Sequence, residues 1–232
     1  MEQDYGIDKS NVTILIPTLN EEKTIGTVVS GFTRQGFKNI LVIDGKSTDN
    51  TQTIASKEGA KVITQESNGK GAAVKEALNH IDTEYTVMID GDSTYDPSEI
   101  DSLLHEIARP TVDEVIGNRF ANIQTGAMDT LHQFGNKLIN IFFFLLLGTN
   151  KKDILSGYRV YETDTLRNLD ITSQRFGIET ELCTKTALQS YTTSIVPITY
   201  YPRPDGSEAN LSSFDDGLDI IKTLLWLRFS NR

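Results

Sequence analysis

The sequence predicts an α/β fold in which a mixed, mostly parallel sheet carries helices on both faces. In its first half, short apolar segments alternate with longer helical patterns. Acidic residues follow several apolar segments, at the edge where parallel sheets bind ligands. The length of 232 residues lies within the range of one α/β domain. We therefore expect a single domain over residues 1–232.

Four short apolar segments of the first half have the length and composition of buried strands. They are residues 12–16, 40–44, 61–64 and 86–89. Helices are expected between them at about residues 18–35, 49–59 and 71–81, and again after Pro97. Gly36 and Gly59 mark two helix ends, and Pro97 suits the first turn of a helix.

The second half is less regular. Strands are expected at residues 113–117 and 194–200, a loop at 121–132, and helices at 137–148, 176–189 and 214–229. From Ile141 to Leu147 the first of these helices is apolar all round, which predicts either a buried helix or one in contact with lipid. This run is too short to span a bilayer, and the last helix has an amphipathic pattern.

Composition excludes several classes of protein. A net charge of −10 argues against a broad nucleic-acid-binding surface. Cys183 is the only cysteine, which excludes a disulfide framework and indicates a reducing compartment. The polar N-terminus does not resemble a signal peptide, so we expect a cytoplasmic location.

The fourth strand leads into Asp90-Gly91-Asp92. Alternate residues of an extended chain point the same way, so the two carboxylates can share one ligand. Gly91 lets a phosphate approach the backbone. Mg²⁺ or Mn²⁺ binds one or two carboxylates and completes its shell with phosphate oxygens and water. The alternative interpretation of this stretch alone is a polar turn with two solvated acids.

Lys70 stands between two glycines before the third helix. Its surroundings match neither a Walker loop nor a G-x-G-x-x-G fingerprint. A lysine at a helix N-terminus can hold an anion through charge and backbone N–H groups. A flexible surface loop is the other interpretation.

Several separate motifs resemble the family 2 glycosyltransferases of GT-A fold, in particular the polyprenyl- or dolichyl-phosphate sugar transferases, including archaeal members that begin lipid-linked glycans. The likeness covers about residues 12–217. Its motifs are residues 16–22, 44–49, 68–71, 90–92, 117–120, 153–159 and 203–211.

The resemblance implies roles for individual residues. Eight residues would bind the nucleotide sugar: Pro17, Leu19, Glu21, Asp44, Lys70, Asp90, Gly91 and Arg203. Of these, Asp44 would contact the base. Asp90 and Asp92 would hold Mg²⁺ or Mn²⁺. The catalytic residues would be Asp92, Arg119, Asp153 and Arg159. The two arginines would bind the acceptor phosphate, and Asp153 would act as general base or orienting group.

The implied reaction is inverting transfer of a sugar from a nucleotide sugar donor to a polyprenyl or dolichyl phosphate, for lipid-linked glycans or protein N-glycosylation. UDP-glucose or UDP-N-acetylglucosamine is favoured, and GDP-mannose remains possible. The two apolar helices at 137–148 and 214–229 would lie on the inner face of the cell membrane as a monotopic, peripheral attachment. No nucleic-acid partner is expected.

Other interpretations stay open at this point. One is a transferase of the same fold acting on a saccharide or protein, for which residues 141–147 should be core. A second is a non-catalytic nucleotide-sugar-binding module. A nucleotidyltransferase is disfavoured because its glycine-rich arginine signature near the first strand is absent.

The chain departs from the family pattern at three points. Asn210 stands where the closing motif has lysine, and residues 124–133 contain no arginine. The sequence ends at Arg232 without the C-terminal transmembrane helices of many members.

Overall fold

The computed structural model describes residues 6–173, 177–204 and 213–230. Within them lie seven strands: β1 Val12–Thr18, β2 Asn39–Asp44, β3 Lys61–Thr64, β4 Tyr85–Met88, β5 Glu114–Ile123, β6 Arg159–Glu162 and β7 Thr193–Tyr200. They also contain eight α-helices: α1 Ile25–Thr33, α2 Thr51–Lys57, α3 Lys70–Ala77, α4 Ile100–Ile107, α5 Thr130–Leu147, α6 Thr163–Asn168, α7 Ile178–Leu188 and α8 Ser213–Ser230.

The strands form one sheet in the order β3-β2-β1-β4-β6-β5-β7. Strands β1 to β4 are parallel where they pair, as are β5 and β7. Strand β6 runs antiparallel to both β4 and β5. The predicted α/β fold with a mixed, mostly parallel sheet is therefore confirmed. Strand β6 and helix α6 were not predicted, because β6 is only four residues long and has charged residues at both ends.

Alternation along β1 divides the core between the two faces of the sheet. Ile14 and Ile16 pack in one apolar cluster with helices α1 and α4. Leu15 packs in a second cluster with α3 and α7. Because successive strand side chains point to opposite faces, a strand covered on both sides needs a continuous apolar run. This requirement explains why residues 12–16 are readable as a strand from sequence.

The element boundaries differ most from the prediction in three places. Strand β1 continues through Thr18, which pairs with Asp44 of β2, so α1 begins at Ile25 rather than near residue 18. Strand β5 extends to Ile123 because it pairs with β7 beyond an irregularity. Helix α5 begins at Thr130, where Asp129 accepts a hydrogen bond from the His132 N–H and caps the helix.

Helix α5 is not a core helix. Phe143 is its only buried residue, and it packs with α7 and α8 in a third apolar cluster. Large apolar side chains of α5 and α8 point outward instead: Leu131, Phe134, Leu138, Ile141, Phe144, Leu145, Leu218, Leu225, Trp226 and Phe229. We call these ten residues the apolar face. In the described part of the chain, no helix is both long and apolar enough to cross a membrane.

Candidate active site

The candidate site lies at the edge of the sheet where β1, β2, β3 and β4 end. Because these strands are parallel, their carboxyl ends place Glu21, Asp44, Lys70, Asp90 and Asp92 along one edge. Ion pairs join Lys70 to Asp90 and to Glu179, and a second set joins Arg203 to Glu21 and to Asp92. Glu179 and Arg203 come from the second half of the chain. The structure therefore brings together much of the predicted donor site.

Lys70, the first residue of α3, lies between two carboxylates. Its Nζ is 2.5 Å from Asp90 Oδ1 and also contacts Glu179 Oε1. Burial disfavours the charged ammonium, but the two carboxylates outweigh burial and raise the pKa of Lys70. Lys70 therefore stays protonated and places a positive charge beside the Asp90–Asp92 pair.

Arg203 occupies an equivalent position beside the second acid. Its Nη2 lies 2.7 Å from Asp92 Oδ2, and its Nη1 lies 3.4 Å from Glu21 Oε1. Asp92 also accepts hydrogen bonds from the Thr94 N–H and hydroxyl, at 3.0 and 2.6 Å. Burial raises the pKa of Asp92, and the charge of Asp90 adds to that rise. Burial likewise raises the pKa of Glu21.

These residues fit a hard divalent cation. Asp90 and Asp92 offer carboxylate oxygens, the ligand type that Mg²⁺ and Mn²⁺ prefer. The guanidinium of Arg203 against Asp92 shows that this place accepts positive charge. Gly91 faces the protein: a Cβ there would lie 2.8 Å from Thr18 Cγ2. The glycine is thus required by packing against β1, and the close approach of a phosphate to Gly91 stays a prediction.

Arg119 and Asp153 form a second, enclosed pair. Arg119 Nε and Nη2 each donate to the carboxylate at 2.8 Å, and the Arg119 backbone N–H donates at 3.0 Å. The guanidinium also lies 5.3 Å from the ring centroid of Tyr200. Asp153 is 0% exposed, so it cannot reach an acceptor as a general base in this arrangement. We therefore correct its expected role to that of holding Arg119.

Arg159 is not available to an acceptor phosphate, contrary to the expectation from sequence. Its side chain is 0% exposed and lies 3.1 Å from Glu114 Oε1. It also donates to the carbonyls of Ile154 and Ser156, both at 2.7 Å. Because its donors are used inside the core, Arg159 holds the loop before β6 instead of contacting substrate.

Pro17 and Leu19 flank the end of β1. Pro17 is half-buried within the strand, and Leu19 is 40% exposed just after it. An exposed leucine at the sheet edge can pack against a flat base, so its expected place at the nucleotide remains a proposal.

Asp44 is 0% exposed, which corrects the expected direct contact with a base in this conformation. Its carboxylate accepts from Ser47 N–H and hydroxyl at 2.8 and 2.6 Å, and from Gln52 Nε2 at 2.7 Å. These bonds fold the loop that follows β2 back over the strand end. Asp44 therefore shapes the loop that would line the nucleotide.

Replacing Asp44 by alanine is expected to weaken nucleotide binding about tenfold, because loss of a buried acceptor costs about 1–3 kcal/mol. Calorimetry with UDP and GDP measures the effect. Asp96→Ala is a control outside the motifs, where the carboxylate accepts from the Ser98 N–H. Unchanged nucleotide affinity in Asp44→Ala would contradict this role.

Sequence reasoning missed three contributors to the site. Glu179 contacts Lys70 across 109 positions of the chain. Gly157 packs against the acid pair so closely that a Cβ there would lie 2.2 Å from Asp90 Oδ2. Tyr95 accepts a hydrogen bond from the Gly157 N–H at 2.8 Å. Only Gly157 carried a signal, as part of the motif at 153–159. The closing motif beyond Pro204, including Asn210, lies outside the described residues.

Comparison with known proteins agrees with this geometry. Residues 13–169 match the sequence pattern of the family described as Glycosyl transferase family 2. The chain belongs to this family and is a glycosyltransferase.

Three relatives come from the archaeon Haloferax volcanii. Glycosyltransferase AglJ is 45% identical over 89% of this chain and 68% of its own length. A dolichyl-phosphate hexose transferase is 32% identical over 96% of this chain and 95% of its own length. The chain spans only 53% of a third relative from that organism, the low-salt glycan biosynthesis hexosyltransferase Agl6, at 32% identity.

The fold also matches solved structures. Glucosyl-3-phosphoglycerate synthase from Mycobacterium tuberculosis, in complex with Mn²⁺, UDP and glucosyl-3-phosphoglycerate, superposes with a TM-score of 0.74. The match covers 93% of this chain and 79% of that protein, at 21% sequence identity. This likeness confirms the GT-A fold.

Proposed function

We propose that the protein transfers a sugar, with inversion, from a nucleoside diphosphate sugar to a polyprenyl or dolichyl phosphate. One observation carries this proposal: the loop of the Arg119–Asp153 pair rests directly on α5. Asn140 of α5 accepts a hydrogen bond from the Ile154 N–H at 3.0 Å, and Ile154 packs with Phe143. The opposite side of α5 belongs to the apolar face. A phosphate at Arg119 would thus have an apolar surface close by for its lipid tail.

Relatives and structural neighbours support this choice of substrates. One relative of matching length is a dolichyl-phosphate hexose transferase. A mycobacterial neighbour was solved with Mn²⁺ and UDP-glucose. We therefore favour UDP-glucose or UDP-N-acetylglucosamine as donor, ahead of GDP-mannose, and Mg²⁺ or Mn²⁺ as cofactor.

The residues divide the chemistry between donor and acceptor. A divalent cation on Asp90 and Asp92 would supply charge stabilisation to the leaving diphosphate. Lys70 and Arg203, already at the two acids, add positive charge there. The attacking phosphate monoester has a second pKa of about 6 and is already anionic at neutral pH. No strong general base is needed, in agreement with the enclosed position of Asp153.

Arg119 is the residue that we assign to the acceptor phosphate. Asp153 engages its Nε and Nη2, which fixes the plane of the guanidinium and leaves Nη1 for an anionic ligand. A planar guanidinium held in this way binds phosphate with defined geometry. Asp153 therefore acts as a positioning residue for Arg119.

The reaction would take place at the inner face of the cell membrane, with the apolar face entering the lipid interface. Each large apolar side chain contributes about 1.5–3 kcal/mol when fully buried, so a few of them can hold a monotopic protein.

The triple variant Leu131→Ser, Ile141→Ser, Leu145→Ser is expected to reduce partitioning into liposomes at least about 100-fold, because three exposed anchors are lost. Sedimentation with neutral and anionic liposomes measures the effect. Leu19→Ser is the matched control, an exposed leucine outside the apolar face. Failure of the unaltered protein to bind either liposome would refute the membrane assignment.

The competing acceptor is a saccharide or protein, for which residues 141–147 were expected in the core. Exposure of Ile141, Phe144 and Leu145 argues against this alternative. A panel tests both: UDP-glucose, UDP-N-acetylglucosamine and GDP-mannose, each with Mg²⁺ or Mn²⁺ and either a short polyprenyl phosphate or a soluble saccharide acceptor. Transfer to the polyprenyl phosphate supports the proposal. Transfer only to the soluble acceptor contradicts it, and nucleotide binding without turnover would indicate a binding module.

A further inference from the structure

Asp90 and Asp92 each form an ion pair with a basic side chain of the protein. Each of these basic side chains also contacts a second carboxylate. Lys70 bridges Asp90 and Glu179, while Arg203 bridges Asp92 and Glu21. The two bridges join five separate segments of the chain. Glu179 is the one member of this arrangement that neither the motifs nor the expected donor contacts include.

A divalent cation and the Lys70 ammonium compete for the same acid. Asp90 Oδ1 lies 2.5 Å from Lys70 Nζ, so a metal at Asp90 meets a positive charge already in place. A lysine with Asp90 as its only partner would oppose the metal strongly, because like charges at this separation repel and a buried ammonium needs a counter-charge. Glu179 provides that second counter-charge on the other side of the ammonium.

Glu181, two positions along α7 from Glu179, makes the contacts of a carboxylate with a purely structural role. It accepts from the backbone N–H groups of Thr172 and Ser173 at 2.8 and 2.6 Å, and it pairs with Lys185 at 2.7 Å. Those bonds tie one segment of the chain to the start of α7. The contact of Glu179 is instead with the ammonium that faces the acid pair.

We propose that Glu179 is a positioning residue that holds Lys70 when a divalent cation occupies Asp90. With Glu179 in place, Lys70 keeps a counter-charge while Asp90 turns its oxygens to the metal. Lys70 then stays beside the diphosphate of the donor, where its charge is needed. Glu179 thereby sets the affinity of the acid pair for the metal. This inference rests on the proposed metal-dependent transfer, and it does not depend on which acceptor is used.

The test measures binding of Mn²⁺ in the absence of any acceptor, by calorimetry and by the electron paramagnetic resonance signal of free Mn²⁺. Glu179→Gln is expected to weaken Mn²⁺ binding about tenfold, at the low end of the effect that one neighbouring charge has on an ionic equilibrium. Glu179→Asp keeps the charge and should recover most of the affinity. Glu181→Gln is the matched control: it removes a buried carboxylate two positions away and should lower the melting temperature with Mn²⁺ affinity unchanged.

The same measurements in a Lys70→Met background decide whether Glu179 acts through Lys70. Coupled residues give non-additive effects, so Glu179→Gln should then change Mn²⁺ affinity less than about threefold. A full tenfold effect without Lys70 would mean that Glu179 acts on the metal directly, which overturns the inference. Unchanged Mn²⁺ affinity in Glu179→Gln also overturns it and leaves the proposed function intact. Absence of Mn²⁺ binding by the unaltered protein would overturn both.

Discussion

Asp92→Asn is expected to reduce sugar transfer by about 10²–10³, the usual cost of removing one electrostatic contact to charge that develops in the transition state. Asparagine keeps the size of the side chain and its acceptor oxygen, so it can still receive the Thr94 N–H and hydroxyl. It loses the negative charge that Arg203 contacts and that the proposed divalent cation would bind. The leaving diphosphate then gains charge beside a weakly held cation.

The effect on stability should be smaller. Loss of the charged partner of Arg203 costs at most about 1.5–3 kcal/mol, the range of hydrogen bonds to charged groups. Glu21 remains as a second partner for the guanidinium. The Asp92 carboxylate does not cap the following helical turn. That task belongs to Asp96, which accepts from the Ser98 N–H at 2.8 Å.

The assay follows transfer by Asp92→Asn over a Mn²⁺ titration, with a melting curve alongside. Asp96→Asn is the matched control, because it makes the same chemical change four positions away and should keep turnover near normal. Near-normal turnover of Asp92→Asn at every Mn²⁺ concentration would remove Asp92 from the site. A large fall in its melting temperature would instead assign Asp92 to folding.

The sheet and its ligand-binding edge could be predicted from sequence because they follow from local patterns. Residues 12–16 and 40–44 are continuous apolar runs that end in polar residues, and parallel strands bring those ends together. Strand β6 gave no such pattern, since its register is set by its neighbours β4 and β5. The position of β6, antiparallel between β4 and β5, therefore could not be predicted from the sequence.

The site was predictable at the level of motifs and less so at the level of single residues. Asp90, Asp92, Lys70 and Arg203 come together as the motifs suggested. The motif at 153–159 did not reveal that Arg159 turns inward. Burial of a charge depends on the partners that surround it in three dimensions. For Arg159 that partner is Glu114, 45 positions earlier in the chain.

Glu114 is the centre of a buried polar cluster between β5, β6, β7 and α7. Its Oε1 accepts from Arg159 Nη1 and the Tyr161 hydroxyl, at 3.1 and 2.7 Å. Its Oε2 accepts from Lys151 Nζ at 2.6 Å, from the Thr193 hydroxyl at 2.8 Å and from the Thr186 hydroxyl at 3.0 Å. One carboxylate thus balances two cations in a place without solvent.

Glu114→Gln is expected to lower the free energy of unfolding by about 3–5 kcal/mol, because it leaves Lys151 and Arg159 buried without their counter-charge. Urea denaturation measures the change. Glu106→Gln is the matched control, a partly exposed glutamate paired with Arg109 that should cost less than about 1 kcal/mol. If Glu114→Gln lowers the free energy of unfolding by less than about 1 kcal/mol, the structural role of Glu114 is contradicted. Arg159 would then again be a candidate ligand of the acceptor phosphate.

The same cluster predicts how stability depends on pH. Burial alone would raise the pKa of Glu114, but the charges of Lys151 and Arg159 outweigh it and lower that pKa from 4.5 to about 2. A carboxylate with a lower pKa in the folded state stabilises the protein fully above the unfolded value. That stabilisation, of order 3 kcal/mol, is lost as the pH falls from about 4.5 to about 2. Urea denaturation across this pH range should show that the free energy of unfolding falls less steeply with pH in Glu114→Gln than in the unaltered protein. Identical pH dependence of the free energy of unfolding in the two proteins would show that Glu114 is not the group that titrates.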